Sequence, residues 1–519
     1  MLRSTAGDVF TVIKFLKTCQ SMSLLQQLHA NVVVSGYCQG DLTESNHFGF
    51  NSRVIADYAS RIVLCLAQSD VFIWNDFIRQ RSQSKHPNYS ISAFVSMLRC
   101  GVEPDHLTFP FLARAVARLY RKEIGESIHS YILRNGFGVD RFVANALIHM
   151  YGSCEIIDDA RKVFDEIRNK NLVSWNSMLD SYVKCRDMSS AHALFDMMAN
   201  RNIISWSCLI DGYVKSKKLE NAILVFQNML ATGPSPNEVT MVSVLSACAH
   251  LGALNKGKLM HRLILNHSTP LTLSLRTSLI DMYSKCGAID EALAVFHGCA
   301  KEETDVMIWN SVIGGLATHG LFNQAMDLVR EMKVYGVKPD DITYLCLLSG
   351  CAHGRRMKEA WQLFGCLCEP KIEHYASMVD AMARSGQVEE AVRFLDEMPI
   401  DPTPSMLGSV FHGCVSHKKM ELAEAVGKKL IDLDPHHDGR YIGLSNVYAR
   451  FYRWEGVRGI REAMERRGIK KLAGYSYLEV SGAVYRFNAH HKFHPRIKEI
   501  HFMLALVSTQ LKFDAGHKY

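Results

Sequence analysis

The feature of this sequence that most constrains its fold is a short pattern that returns at a nearly fixed spacing. The segment SMLDSYVK at 177–184 recurs with small changes at 208–215 and 278–285. In the segment that follows, an alanine recurs at intervals of 31, 31, 70, 33, 35 and 31 residues, where the gap of 70 spans two units. These alanines are Ala160, Ala191, Ala222, Ala292, Ala325, Ala360 and Ala391. Such self-similarity indicates stacked repeats, each in contact only with its neighbours.

Each repeat has the pattern of two amphipathic helices. Trp175, Met178 and Tyr182 fall at i, i+3 and i+7, which places them on one helical face. Ala191 and Phe195 fall at i and i+4 of a second helix, and the small alanine suits a close helix crossing. A hairpin of 31 to 35 residues cannot bury its apolar face alone. We therefore expect an all-α solenoid of helix-turn-helix repeats with a long concave inner wall.

Glycine and proline mark where the repeats end. GVEPD at 101–105, GPSPN at 233–237 and GVKPD at 336–340 interrupt the helical pattern, because glycine caps a helix end and proline cannot continue a helix. One segment has a different period: YSYLEVSGAVYRFN at 475–488 alternates about Ser481 and Gly482. This alternation predicts a short β-hairpin near the C-terminus.

Composition excludes several classes of protein. Apolar residues make up 48% and charged residues 21% of the 519 residues, which excludes a mostly disordered chain. No apolar run approaches the length that crosses a membrane, and the 15 scattered cysteines are interpreted as reduced thiols. Arg3, Ser4, Thr5 and Lys14, without an apolar block, fit a short organelle-import segment rather than a secretory signal.

The positive charge is concentrated at one end of the chain. Residues 404–519 contain 19 Lys and Arg against 11 Asp and Glu, whereas residues 1–403 contain 40 against 41. An anionic partner would be attracted to the C-terminal quarter, although a solvated basic face would have the same composition.

Several motifs together resemble the plant pentatricopeptide repeat family, PLS subclass. They are WNSML at 175–179, LSACAHLG at 245–252, IDMYSKCG at 280–287 and VKPD at 337–340, in units that alternate between 35, 35 and 31 residues. The resemblance implies a right-handed superhelical solenoid. It also gives repeats at 48–70, 71–105, 106–140, 141–171, 172–202, 203–237, 238–272, 273–305, 306–340, 341–371 and 372–403.

The resemblance also divides the whole chain. The segments it implies are a short leader at 1–12, a degenerate N-terminal repeat at 13–47, the array at 48–403, an E-type extension at 404–511 and a tail at 512–519. Leu407, Ala473 and Tyr477 depart from the residues usual at those places in E-type extensions.

In this family the fifth and last residues of a repeat face an RNA base, and the second residue packs against its ring. Carried onto this sequence, the pairs are Asn75 with Asp105, Asn145 with Asn171, Asn176 with Asn202, Ser207 with Asn237, Thr277 with Asp305, and Asn310 with Asp340. All twelve are short polar side chains that can donate to or accept from a base edge. The second positions include Phe72, Phe142, Val173, Ile204 and Met307, apolar surfaces on which a base could stack.

A second interpretation of the last residues is that they cap helices, since Asn and Asp are preferred N-caps. Both roles can coexist. The intervening repeats lack a matched polar pair, so the bases they face are left unassigned. Their residues are Pro110 with Asp140, Val242 with Thr272, Leu345 with Lys371, and Ala376 with Thr403.

No catalytic site is expected in this chain. A cytidine deaminase needs zinc ligands and a glutamate in the pattern H-x-E followed by P-C-x-x-C, and neither H-x-E nor C-x-x-C occurs. Cys366 and Cys368 form only C-x-C, and the histidines at 490, 491 and 494 have no paired cysteines. We therefore predict no DYW-type deaminase domain, no metal and no cofactor.

The resemblance implies a site-recognition factor for C-to-U editing of organelle RNA, which recruits a deaminase-bearing partner through the C-terminal extension. Single-stranded organelle RNA is the expected ligand, no membrane is involved, and the expected location is the mitochondrion, with the chloroplast as the alternative. Two other functions stay open. One is a factor for RNA splicing, stability or processing, and the other is a scaffold for proteins like the tetratricopeptide arrays.

Overall fold

A computed structural model describes residues 71–266, 271–299, 304–471, 474–480, 483–488 and 496–516. The leader predicted at 1–12, the degenerate repeat at 13–47 and the repeat at 48–70 lie outside the described residues. The chain divides into two units, with the boundary after Pro236.

The described residues form 25 α-helices and two β-strands. The helices of the first unit are α1 (Val71–Gln83), α2 (Asn88–Arg99), α3 (Thr108–Leu119), α4 (Lys122–Arg134), α5 (Arg141–Ser153), α6 (Ile157–Glu166), α7 (Leu172–Lys184), α8 (Met188–Met197), α9 (Ile203–Lys215) and α10 (Leu219–Thr232). A short 3-10 helix, Phe137–Val139, precedes α5.

The second unit continues the same alternation. Its elements are α11 (Glu238–Leu251), α12 (Leu254–Asn266), α13 (Leu273–Lys285), α14 (Ile289–His297), α15 (Val306–Thr318), α16 (Phe322–Val334), α17 (Asp341–Gly354), α18 (Met357–Gly365), α19 (Ile372–Ser385), α20 (Val388–Glu397), α21 (Pro404–Ser416), α22 (Met420–Leu433), α23 (Asp438–Arg450), α24 (Trp454–Arg466), β1 (Tyr475–Val480), β2 (Ala483–Asn488) and α25 (Ile497–Gly516).

Within each unit the helices pair as hairpins. The first helix of a hairpin packs against its own second helix and against the first helix of the next hairpin, as α5, α7 and α9 do. Helices α7 and α9 begin at Leu172 and Ile203, the residues at which the repeats 172–202 and 203–237 were predicted to begin. The expected all-α repeat fold is confirmed.

The hairpins can stack because small residues lie where helices cross. The recurrent alanines are buried, with Ala160, Ala191 and Ala222 fully inaccessible to solvent. Aromatic rings then join consecutive hairpins: the ring centroids of Phe195 and Trp206 lie 4.8 Å apart in an edge-to-face arrangement. Such pairs contribute roughly 0.5 to 1.5 kcal/mol beyond the area they bury.

A residue with left-handed backbone closes the first helix of most hairpins. Examples in the first unit are Glu155, Arg186 and Lys217, with φ near 60°, and examples in the second unit are Gly287 and Gly320, with φ of 78°. The left-handed residue turns the chain back toward the helix that it ends. After Arg186, for example, the amide of Asp187 donates to the carbonyl of Tyr182 across 3.0 Å.

The C-terminal extension adds two more hairpins, α21 with α22 and α23 with α24. Tyr441 and Leu444 lie at the centre of their core, with Phe411 packed against it. Strands β1 and β2 are antiparallel, with Tyr475 opposite Asn488, so the predicted β-hairpin is confirmed. Among the described helices, none is both long and apolar enough to cross a membrane.

Candidate nucleic-acid interface

The last residue of each predicted pair forms a hydrogen bond to the start of the helix that begins the next repeat. Its side-chain oxygen accepts a hydrogen bond of 2.9 to 3.1 Å from a backbone amide in the first turn of that helix. The residues are Asp105, Asn171, Asn202, Asn237, Asp305 and Asp340. Helix capping is therefore confirmed for Asn171, Asn202, Asn237, Asp305 and Asp340. Asp105 accepts the same bond from Thr108, but the N-cap of α3 is Leu107. Asp140, Thr272 and Thr403, which end intervening repeats, cap in the same way.

In three pairs, the fifth residue is joined to the last residue by a hydrogen bond. The amide Nδ2 of Asn310 donates to Oδ1 of Asp340 across 2.9 Å. A third group completes the arrangement: the hydroxyl of Thr343, the third residue of the following repeat, lies 2.6 Å from Oδ1 of Asn310 and 3.0 Å from Oδ1 of Asp340. We call this arrangement a polar triad.

The other two triads follow the same plan. Nδ2 of Asn75 donates to Asp105 across 2.8 Å, and the hydroxyl of Thr108 donates to Oδ1 of Asn75 across 2.6 Å. Nδ2 of Asn176 donates to Oδ1 of Asn202 across 3.2 Å, and the hydroxyl of Ser205 donates to Oδ1 of Asn176 across 2.6 Å. The fifth residue, about one turn inside its own first helix, is thereby held against the start of the next first helix.

Capping and base contact need not compete within a triad. The hydrogen bonds that Asp340 accepts from Nδ2 of Asn310 and from the backbone N–H of Thr343 both end on Oδ1. The other carboxylate oxygen, Oδ2, is then the atom that can accept a further donor. In Asn202 the capping oxygen is also Oδ1, so the atom left for a ligand is the donor Nδ2. An aspartate and an asparagine at this position therefore offer opposite hydrogen-bonding groups.

The same contacts keep the aspartates ionised. Burial of the Asp340 carboxyl opposes its ionisation, but hydrogen bonds from Thr343 and Asn310 outweigh burial and lower its pKa. Burial likewise opposes the ionisation of Asp105, and hydrogen bonds from Asn75 and Thr108 lower its pKa. Both positions therefore offer a charged acceptor at neutral pH.

In two of the remaining predicted pairs, the hydroxyl of the fifth residue donates to a carbonyl of its own helix. The hydroxyl of Thr277 donates to the carbonyl of Leu273 rather than to Asp305. Ser207 and Asn237 belong to different units; the hydroxyl of Ser207 donates to the carbonyl of Ile203 across 2.7 Å.

The pair of Asn145 and Asn171 borders a surface cavity of about 880 Å³. Phe142 and Val173, the second residues of two consecutive repeats, also line it. Asn145 is 8% exposed, and its Oδ1 has no hydrogen-bond partner in the described part of the chain. A buried acceptor without a partner beside a cavity is suited to a ligand that brings a donor. Arg168 lines the same cavity.

Apolar side chains at the second position of the repeats are exposed, although most large apolar residues of these hairpins are buried. Phe72, Phe142, Val173, Ile204 and Met307 are each between 55% and 62% exposed. Val239 and Ile342, the second residues of two intervening repeats, are also more than half exposed. Exposed flat or aliphatic surfaces beside polar pairs are suited to stacking of planar rings.

Sequence reasoning missed the third member of the triads. A signal was present: Thr or Ser occupies the third position of the repeats that begin at 106, 172, 203, 238 and 341. At the repeat that begins at 306 this position is Ile308, and there the preceding pair, Thr277 and Asp305, is not joined.

Among the described residues, no group of three or more His, Cys, Asp and Glu side chains could hold a metal ion. Cys366 and Cys368 are exposed. The histidines at 490, 491 and 494 lie outside the described residues.

The sequence matches the PPR repeat family over residues 201–250 and 304–353, and the PPR repeat over 142–172, 173–203, 276–301, 342–369 and 373–401. It matches the E motif over residues 417–479. A pentatricopeptide repeat-containing protein of Arabidopsis thaliana is 46% identical over 525 residues, which cover 100% of this chain and 98% of the relative.

Two further Arabidopsis thaliana relatives carry a location in their names. A mitochondrial pentatricopeptide repeat-containing protein is 39% identical, over 85% of this chain and 66% of the relative. A chloroplastic one is 32% identical, over 92% of this chain and 75% of the relative. Among solved structures, the pentatricopeptide repeat protein PPR10 in complex with an 18-nucleotide psaJ RNA element superposes with a TM-score of 0.63 at 18% identity, covering 89% of this chain and 74% of that one.

The stacked helical hairpins and the polar groups at their ends define a helical-repeat protein. The sequence matches identify the type of repeat. This chain belongs to the pentatricopeptide repeat family and carries an E motif of the kind found in its PLS subclass.

Proposed function

We propose that this protein binds single-stranded RNA and reads one base in each repeat that has a polar pair. The observation that carries the proposal is the triad of Asn310, Asp340 and Thr343, in which the capping contacts use Oδ1 and leave Oδ2 for a ligand. The exposed second residue Met307 supplies a surface beside it on which a base can stack.

Hydrogen-bonding chemistry suggests which bases suit each pair. A carboxylate oxygen accepts from the ring N–H of uracil or guanine, whereas an asparagine Nδ2 donates to the unprotonated ring nitrogen of adenine or cytosine. The smaller fifth residues Ser207 and Thr277 leave room for a purine, and asparagine suits the mixed edge of a pyrimidine. The pair of Asn310 and Asp340 then reads uracil, Thr277 and Asp305 guanine, and Ser207 and Asn237 adenine.

We further propose that the protein acts as a site-recognition factor for C-to-U editing of organelle RNA. The matched E motif and the basic surplus of residues 404–519 support this proposal, with the extension as the surface for a deaminase-bearing partner. The compartment is the mitochondrion, with the chloroplast as the alternative. Relatives named for each of these organelles support an organelle location.

The RNA site follows from the order of the repeats. By resemblance to the family, N-terminal repeats face the 5′ side and the repeat 372–403 aligns four nucleotides before the edited cytidine. From repeat 71–105 onward, the site reads U-N-Y-Y-A-N-G-U-N-N, then three nucleotides, then the edited C. A gel-shift series with this RNA and with substituted RNAs tests base reading directly.

Sequencing organelle RNA from a null mutant tests the editing role. Loss of editing at a site that matches the A, G and both U positions supports the proposal. Loss of editing at a site that mismatches those positions would contradict the proposed alignment of repeats with nucleotides. A variant without residues 404–519 that binds the RNA but does not restore editing assigns recruitment to the extension. If editing is intact and splicing or transcript stability fails, the protein is a processing factor.

A further inference from the structure

We infer that the hydroxyl at the third position of a following repeat is a positioning residue, which sets how sharply the preceding fifth residue discriminates between bases. The residues concerned are Thr108, Ser205 and Thr343. The inference rests on the proposed function, since it concerns the reading of bases by the polar pairs. It goes beyond a reading based on the fifth and last residues alone.

The direction of the hydrogen bonds fixes the orientation of the asparagine amide. The backbone N–H of Thr343 can only donate, so the oxygen 2.9 Å away on Asp340 is an acceptor. The group of Asn310 that lies 2.9 Å from this same carboxylate oxygen must then be the donor Nδ2. The amide oxygen is therefore the atom that faces Thr343.

The hydroxyl of Thr343 completes this assignment. Its oxygen accepts from the backbone N–H of Asp340 across 3.1 Å, and its own proton is free to donate to Oδ1 of Asn310 across 2.6 Å. A reversed amide would place Nδ2 at the hydroxyl and Oδ1 against the carboxylate, where two acceptors would oppose each other. The carboxylate thus selects one amide orientation, and in that orientation the hydroxyl proton adds a hydrogen bond to Oδ1 of Asn310 that holds the amide in place.

A fixed amide presents its remaining proton and its remaining lone pair in a fixed order. Uracil and cytosine have opposite donor and acceptor groups at the ring nitrogen and at the neighbouring exocyclic atom, so an amide held in one orientation fits one of them better. An amide that can turn over would adapt to either base. The hydroxyl should therefore affect the ratio of the two affinities more than the affinity for the preferred base.

The chain contains a natural comparison. The repeats 141–171 and 172–202 both pair asparagine with asparagine. Ser205 donates to Oδ1 of Asn176 across 2.6 Å, whereas Ser174 lies 2.9 Å from Oδ1 of Asn171, and Oδ1 of Asn145 has no partner in the described part of the chain. Two repeats with the same fifth and last residues thus differ in whether the hydroxyl holds the amide.

The experiment measures, for the full chain, the ratio of affinities for RNAs that carry uracil or cytosine opposite repeat 306–340. Thr343→Val replaces the hydroxyl by a methyl group of similar size, and we expect the ratio to fall about two- to tenfold, the worth of one hydrogen bond. Thr343→Ser restores the hydroxyl and should restore the ratio. Ser174→Ala is the matched control: it removes a buried hydroxyl at the same repeat position and should leave the ratio opposite repeat 141–171 unchanged.

A second measurement needs no variant, so it does not depend on Thr343→Val folding. In the unaltered chain, repeat 172–202 should discriminate uracil from cytosine more sharply than repeat 141–171; equal ratios would overturn the inference. An unchanged ratio in Thr343→Val would overturn it too. Asn310→Ala distinguishes failure of base reading from failure of the positioning role. If Asn310→Ala and Thr343→Val both leave the base preference unchanged, the proposal of base reading is wrong. If Asn310→Ala changes the preference and Thr343→Val does not, only the positioning role is wrong.

Discussion

Asn310 and Asp340 are 30 residues apart in the sequence and share a hydrogen bond of 2.9 Å. The fifth residue of α15 and the residue that caps α17 meet because consecutive first helices pack side by side. Stacking of the hairpins therefore creates the pair.

Changing the fifth residue should change the base that is read. In Asn310→Thr the amide is lost while the acceptor on Asp340 is retained, so we expect the preference opposite repeat 306–340 to move from uracil toward guanine. A well-aligned contact of this kind discriminates by roughly 1 to 3 kcal/mol. Gel shifts with RNAs substituted at that nucleotide measure the change, and an unaltered preference would falsify the assignment of Asn310 as a reader.

The contribution of Asp340 to stability should depend on pH in a defined direction. Its pKa in the folded protein lies below the ordinary value, so the folded state favours the ionised carboxylate. The stabilisation is complete above the pKa of the unfolded chain, about 3.9, and is lost as the pH falls through the lower pKa of the folded protein. Urea unfolding of the unaltered chain and of Asp340→Asn should show a constant difference from pH 7 to pH 5 that shrinks at pH 3. A difference that grows on acidification contradicts this.

Two glycines of α21 should respond in opposite ways to alanine. A Cβ at Gly413 would lie 2.8 Å from the carbonyl oxygen of Ala383 on α19, whereas a Cβ at Gly408 would meet no atom within 4 Å. We expect Gly413→Ala to lower the free energy of unfolding by about 1 to 3 kcal/mol, because the helices must separate. Gly408→Ala should raise it by roughly 0.5 to 1 kcal/mol, the usual gain in a helix. Thermal unfolding of both variants provides the measurement, and equal effects would mean that the crossing is not tight.

The purified protein should contain no stoichiometric zinc and should not deaminate cytidine by itself. The expectation follows from the sequence, in which no H-x-E and no C-x-x-C occurs. Elemental analysis and a deamination assay on the bound RNA check it, with and without an added deaminase-bearing partner. One zinc per chain together with turnover would require the recruitment proposal to be abandoned.

Much of this architecture could be predicted from the sequence, because the spacing of the alanines gives the length of each hairpin. The starts of α7 and α9 followed from the repeat boundaries that the family resemblance implies, and the caps followed from residue type. The triads could not be predicted in the same way. Thr343 lies 33 residues from Asn310, and a threonine three residues after Asp340 is already explained by capping of its own helix. Only the packing of neighbouring first helices brings the hydroxyl to the amide.

The close approach of α19 and α21 was missed for a related reason. Nothing in the sequence distinguishes Gly408 from Gly413, and in the structure both lie within α21 without a left-handed backbone. Their difference depends on which face of α21 meets Ala383, a property of the interface between hairpins.

One residue both caps a helix and is proposed to contact a base, and this restricts the residue types that can occupy the last position of a repeat. Asp340 starts α17 through Oδ1, so a replacement must also begin a helix, and only Asp, Asn, Ser and Thr do so well with a side-chain oxygen. Losing the cap would cost about 0.5 to 2 kcal/mol whatever base is gained. The side chain of Asn310 caps no helix. Substitutions at the fifth position therefore avoid the loss of a cap, and a chain of this kind can acquire a new RNA target there at a lower cost in stability.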